Sequence, residues 1–176
     1  MRRLKWTVAV VLALALVLLG GGMLLSPKFK VSRSITVNAP ADKVYALVSS
    51  PRQWKQWSVW NQRDPAMQIT YFGPESGAGA GWSWVSKTEG DGRMTLVMAE
   101  PDRQVVFELF FPDFGTTSTG ALAFDSQGTA TQVRWTMDGD MGRNPLMGWF
   151  ALGADRLMGP DFEAGLTKLK ALAERP

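Results

Sequence analysis

From Trp6 to Pro27 the chain carries no charged residue. The stretch WTVAVVLALALVLLGGGMLL is about as long as a helix needs to cross a hydrocarbon core of roughly 30 Å. We read residues 1–27 as a single-pass membrane anchor. The rival reading is a cleaved signal peptide, with MRRLKW as its basic n-region and a shorter apolar core behind it. No small-x-small cleavage pattern follows the run cleanly, and Met23, Leu24 and Leu25 carry it past three glycines, which favours the anchor. Lipoprotein processing is excluded, because there is no cysteine to acylate. Arg2, Arg3 and Lys5 on one flank balance Lys28, Lys30 and Arg33 on the other, so basic residues alone do not orient the span. The free amine adds to the short N-terminal flank, and long following domains translocate largely regardless of charge. The expected location is therefore the cell membrane, with the C-terminal domain extracytoplasmic.

Residues 28–176 are enough for one domain with its own core and too few for two. The sequence pI near 9.4 suggests a nucleic-acid binder until the charges are located. Residues 1–30 hold five of the 19 basic residues and none of the 16 acidic ones, so the remainder carries 14 positive charges against 16 negative. The basic face of a nucleic-acid-binding domain is missing, and we expect no nucleic-acid partner. Cysteine and histidine are absent. That removes disulfide frameworks, thiolate or imidazole metal sites, and histidine-dependent nucleophiles.

The periodicity after the anchor is mostly that of strands. VSRSITV alternates Val31, Arg33, Ile35 and Val37 against Ser32, Ser34 and Thr36, which predicts a first strand over 31–37, with SPKFK before it as a short tether. Pro40 and Asp42 start a short helix with Val44, Leu47 and Val48 on one face, and Pro51 ends it. Strands follow near 67–73, 80–87, 93–99, 104–111, 117–125 and 130–138, separated by clusters such as GPESGAG, EGDG and DSQG. From Asn144 the pattern is helical again, in two pieces, because GPD at 159–161 breaks it. In the second piece Phe162, Leu166, Leu169 and Ala173 share a face. The fold class is α+β: a curved antiparallel sheet gripping a C-terminal helix.

This order, together with ITVNAPADKVYALV, WKQWSVWNQRDP, YFGPESGAGAGWSW, TATQVRWTMDGDM and MGPDFEAGLTKLKALAE, resembles the START-like (SRPBCC) superfamily, in particular its polyketide cyclase/dehydrase branch, over about residues 31–174. The resemblance implies a helix-grip fold with an apolar cavity between sheet and C-terminal helix. It is loose for activity, since the superfamily includes carriers, cyclases, hydratases and ligand sensors.

The cavity is the expected ligand site, as small-molecule pockets are concave and mostly apolar. Strand parity sets Trp82 with Trp84, then Met94 with Leu96 and Met98, on shared faces. Phe107 with Leu109, and Trp135 with Met137, follow in the same way. Tyr71 and Phe150 complete the expected lining, Tyr71 as a source of a hydroxyl beside Thr119. Nine methionines offer an adaptable surface, and Gly148, Gly153, Gly159 and Gly165 would remove bulk from the gripped helix. Alternatively, all these side chains simply fill the core. Trp54, Trp57 and Trp60 recur every third residue and either cap the core or stand at the cavity entrance.

Three further features read as bland. SGAGAG at 76–81 leads into a strand, so it offers no helix N-terminus to a phosphate and is a hairpin turn. Asp138 and Asp140 fit a turn better than an acid/base pair. Glu108 and Arg134 fall on the solvent face. We expect no catalytic residue, no metal and no cofactor. The leading expectation is a membrane-anchored domain that binds a hydrophobic small molecule or lipid. The alternatives are a cyclase/dehydrase-like enzyme, or a module with a filled cavity that docks on a protein partner.

Overall fold

The computed structural model describes residues 2–176; Met1, the first residue of the expected anchor, lies outside them, as does the side chain of Arg2. Helix α1 (Arg2–Leu24) precedes β1 (Lys28–Val37), which leads to three short helices, α2 (Ala41–Val48), α3 (Pro51–Trp57) and α4 (Trp60–Arg63). Six strands follow: β2 (Gln68–Phe72), β3 (Gly81–Val85), β4 (Gly92–Glu100), β5 (Gln104–Phe111), β6 (Thr116–Gln127) and β7 (Ala130–Asp140). Helix α5 (Pro145–Ala173) closes the chain. The strands form one antiparallel sheet in the order β1-β7-β6-β5-β4-β3-β2. Each of β2 to β6 pairs with its successor, and β1 joins the β7 side. This is the expected helix grip, with α5 on the concave face.

The alternation in β7 shows why one face is dry: Val133, Trp135 and Met137 are buried and Arg134 is exposed. The sheet also uses a repeated device. Four glycines sit opposite an aromatic residue on the neighbouring strand: Gly81 opposite Phe72, Gly92 opposite Trp84, Gly120 opposite Phe107 and Gly139 opposite Phe29. At each, a Cβ would overlap that partner's ring. The ring lies over the missing side chain, covering backbone that glycine leaves bare.

Three expectations change. The strand begins at Lys28, so SPKFK is no free tether: Lys28, Phe29 and Lys30 pair with Asp140, Gly139 and Asp138. Met98 leaves the face of Met94 and Leu96, because the β4–β5 register shifts between Leu96 and Met98, and it is exposed. The C-terminal helix does not break at Pro160; α5 runs through it. A proline inside a helix removes one hydrogen bond and costs about 3 kcal/mol, so tertiary contacts must hold it.

Arg33 supplies one. It points inward from the edge strand and donates through Nη1 and Nη2 to the Asp155 carboxylate at 2.7 and 3.1 Å, and through Nε to Glu163 at 2.6 Å. Its two partners thus flank the proline on α5. The guanidinium holds the Asp155 carboxyl below its ordinary range. Gly159 makes the clamp possible, since a Cβ there would overlap the guanidinium.

The glycine–ring pairs yield a stability test. Gly120→Ala must displace the Phe107 ring, which is fully buried, and overpacking of this kind costs about 1–3 kcal/mol. We expect a lower urea midpoint for this variant, and an unchanged midpoint would show that the ring moves freely.

Candidate functional site

The concave face is filled at one end and hollow at the other. Trp135 stacks on Phe162 of α5, with ring centroids 4.2 Å apart and planes 16° from parallel. Trp54 and Trp57 pack beside them, 5.9 and 5.4 Å from Trp135. The indole N–H of Trp54 donates to Val48 O at 2.7 Å and that of Trp57 to Leu47 O at 3.2 Å, so both rings are pinned to α2. Gly165 leaves room for the Trp135 edge.

Towards the other end lies a cavity of about 310 Å³. Its floor is Trp82, Trp84, Met94, Leu109 and Met137, and α5 covers it with Met147, Phe150 and Met158. Met67 and Met141 complete the methionine lining, six of the chain's nine. Unbranched thioethers adapt to irregular guests, so this surface favours an apolar ligand without fixing its outline. Polar groups are few: Ser58, Asn61, Thr116, Ser118 and the Glu89 carboxylate.

Of the residues expected in the lining, Trp82, Trp84, Met94, Leu109, Met137 and Phe150 are brought together there, and Trp54 and Trp60 also reach it. Leu96, Phe107 and Trp135 share the concave face but are sealed in the core. Trp57 has no exposed surface, so it belongs to the core and not to an entrance, and Trp54 is nearly as deep. Tyr71 is diverted: the Arg52 guanidinium stacks on its ring at 4.4 Å, and it faces a smaller hollow beside Pro74. Thr119 is exposed; its neighbours Ser118 and Thr116 present hydroxyls instead. Asp138 pairs with Lys30 at 3.4 Å, and Asp140 accepts from Gly142 N–H. The helix glycines do not widen the cavity. Gly148 meets α1, Gly159 meets Arg33, Gly165 meets Trp135, and Gly153 meets only Leu157.

The lining missed by sequence reading includes Phe29, Phe111, Thr116 and Ser118 near strand ends, Met147 and Met158 on α5, and the loop residues Met67, Glu89, Phe114 and Met141. The loop and strand-end residues sit where periodicity does not reach. A polar hub holds this rim. Ser86 Oγ donates to Asp64 Oδ2 at 2.6 Å and accepts from Glu89 N–H at 2.9 Å, while Asp91 accepts from Ser86 N–H at 3.0 Å. Arg63 bonds Asp161 of α5 and faces Glu89 at 3.8 Å, tying the rim to the helix. The hydrogen bond to Asp161 raises the pKa of the Arg63 guanidinium above its ordinary value.

The Ser86 hydroxyl, helped by the Ala66 N–H, holds the Asp64 carboxyl below its ordinary value of 3.8. A carboxyl depressed by folding adds stability above its unfolded pKa, and that stability is lost as pH falls through the folded value. Asp64→Asn should therefore be less stable than the parent at neutral pH, with the gap closing below about pH 4. Urea midpoints across that range test it; a gap independent of pH would show that the Asp64 charge does not matter.

Solved structures with the same architecture include a protein from Chromobacterium violaceum, at 12% identity and TM-score 0.61, covering 84% of this chain and 98% of the other. A Thermobifida fusca protein is 21% identical with TM-score 0.60, covering 80% and 90%. Norcoclaurine synthase from Thalictrum flavum, solved with dopamine and hydroxybenzaldehyde, is 13% identical with TM-score 0.61, covering 86% and 89%. At these identities the likeness concerns the fold. No curated protein matches the chain. The sequence profile described as polyketide cyclase / dehydrase and lipid transport matches residues 28–174, and the chain belongs to that family.

Proposed function

We propose that this chain is a single-pass membrane protein, anchored by residues 1–27, whose domain at 28–176 binds one hydrophobic small molecule or lipid chain in the sheet–α5 cavity. The observation that carries the reading is the methionine-rich, almost wholly apolar lining. Its volume of about 310 Å³ falls at the lower end of ligand pockets, roughly 300–1,000 Å³. That suits a terpenoid, an aromatic metabolite or a single acyl chain better than a whole two-chain lipid. Trp82, Trp84, Met94, Leu109, Met137 and Phe150 are the contacts we assign to the ligand, with Trp60 at the rim. Helix α1 is long and apolar enough to cross a bilayer, and the family description includes lipid transport. We place the domain outside the cytoplasm.

A second reading, a cyclase/dehydrase-like enzyme, draws on one observation: Glu89, whose carboxylate faces Arg63, is the one acidic residue among those described in the cavity lining. Norcoclaurine synthase, which shares the fold, is solved in complex with dopamine and hydroxybenzaldehyde. The interaction-module reading needs a filled cavity, which the described residues do not provide.

Native mass spectrometry of the full-length protein, taken gently from its own membranes, tests the proposal. We expect a stoichiometric apolar adduct that is lost in Leu109→Trp, which fills the cavity, with its urea midpoint measured beside the parent's to confirm that the variant is folded. A clean apo mass across preparations would overturn the binding reading. A chemically altered guest recovered from the parent but not from Glu89→Gln would favour the enzyme. A reporter fused to Pro176 and active only outside the cytoplasm checks the orientation.

A further inference from the structure

Outside α1, exposed large apolar side chains include scattered ones such as Val85, Val97 and Leu157, and one group that stands together at one end of the domain. Leu146, Trp149, Phe150 and Leu152 stand on the first turns of α5, and Phe114 tips the β5–β6 turn. Phe114 and Phe150 also line the cavity, so the cavity opens where they stand. This is the end of the sheet from which α1 departs: Lys28 at the start of β1 lies opposite Asp140, and the adjacent Gly139 lies opposite both Phe29 and Ser118.

Helix α1 is seated against α5 at that end. Trp149 Nε1 donates to Leu18 O at 2.9 Å. A Cβ on Gly21 would come within 2.7 Å of the Trp149 indole, and one on Gly22 would overlap the Pro145 carbonyl. From the other side, a Cβ on Gly148 would lie 2.7 Å from Gly22 O and 3.0 Å from Leu25 Cβ. Gly20 has nothing within 4 Å, so the notch is made by the last two of the three glycines. Small residues that let two helix backbones meet are the usual packing device of membrane helices.

The seat also sets a depth. Leu18 lies six residues before the end of α1 at Leu24, or roughly 9 Å of helix axis. With α1 across the bilayer, an indole bonded to Leu18 stands roughly 9 Å inside the end of the span, within the outer acyl layer. The side chains around it are apolar and would enter the same layer, as do the buried faces of interfacial helices, about 5–10 Å deep.

We infer that the first turns of α5 and Phe114 lie in the bilayer surface, held there by the Gly21–Gly22 notch, and that the cavity mouth opens onto lipid. An apolar guest then enters from the acyl layer without crossing water. This rests on the anchoring reading above, and the test separates the two. The chain has no cysteine, so single-cysteine variants carry one fluorophore each. Full-length Leu12→Cys, Phe114→Cys, Leu152→Cys and Val97→Cys are reconstituted into phosphatidylcholine vesicles and quenched by aqueous iodide or by nitroxide-bearing lipid.

The inference predicts iodide quenching several-fold weaker at positions 114 and 152 than at exposed Val97, with strong quenching of both by the lipid nitroxide. Position 12 protected while 114 and 152 quench like 97 would overturn the inference and leave the anchor standing. Position 12 open to iodide would overturn both. Adding Gly22→Leu should raise iodide quenching at 152 while leaving 12 protected; unchanged quenching at 152 would contradict the role of the notch.

Discussion

The stack of Trp135 on Phe162 is the contact on which the rest of the structure depends. It joins the middle of β7 to the C-terminal half of α5, and Trp54 and Trp57 close around it from α3. Phe162, Leu166 and Leu169 are buried along that half of the helix. Burying large apolar side chains contributes about 1.5–3 kcal/mol each, so this end of the grip is firmly closed. The Arg33 clamp holds the helix through Pro160. Towards the other end, the face that α5 turns to the sheet carries Met147, Phe150 and Met158 above Trp82 and Trp84, and among the described residues no ring of α5 stacks there as Phe162 does on Trp135. The cavity is therefore the consequence of closing one end of the grip.

The closure has a cost. Trp135 Nε1 has no hydrogen-bond partner among the described residues, and an unsatisfied buried donor costs about 1–3 kcal/mol. Four rings surround it, Phe162 at 4.2 Å and Trp54, Trp57 and Trp60 at 5.4 to 5.9 Å. Aromatic pairs add about 0.5–1.5 kcal/mol each beyond area burial. The cluster can therefore carry one orphan N–H.

Strand alternation made the concave face legible in the sequence, and with it Trp82, Trp84, Met94, Leu109 and Met137. Parity reports which face a residue occupies, not how far along the strand the packed end begins. That is why Leu96, Phe107 and Trp135 share the face yet miss the cavity. Met98 was illegible for another reason, since a bulge reverses parity and leaves no mark in the pattern. The continuity of α5 was hidden because it depends on Arg33, 122 residues before Asp155. Tyr71 depends likewise on Arg52, and the rim residues Asn61, Met67, Glu89 and Phe114 lie in segments without a period. The glycines of α5 were read as space; each buried one instead receives a specific neighbour.

The central claim is that six methionines surround a space able to hold an apolar guest. Methyl-labelled methionine NMR of the full-length protein under xenon pressure tests it most directly, because xenon enters dry apolar cavities without chemical recognition. The account predicts saturable shifts at Met67, Met94, Met137, Met141, Met147 and Met158, and none at Met98 on the outer surface. Lining methyls that do not respond, or that respond no more than Met98, would mean that the space is closed in solution and would contradict the account.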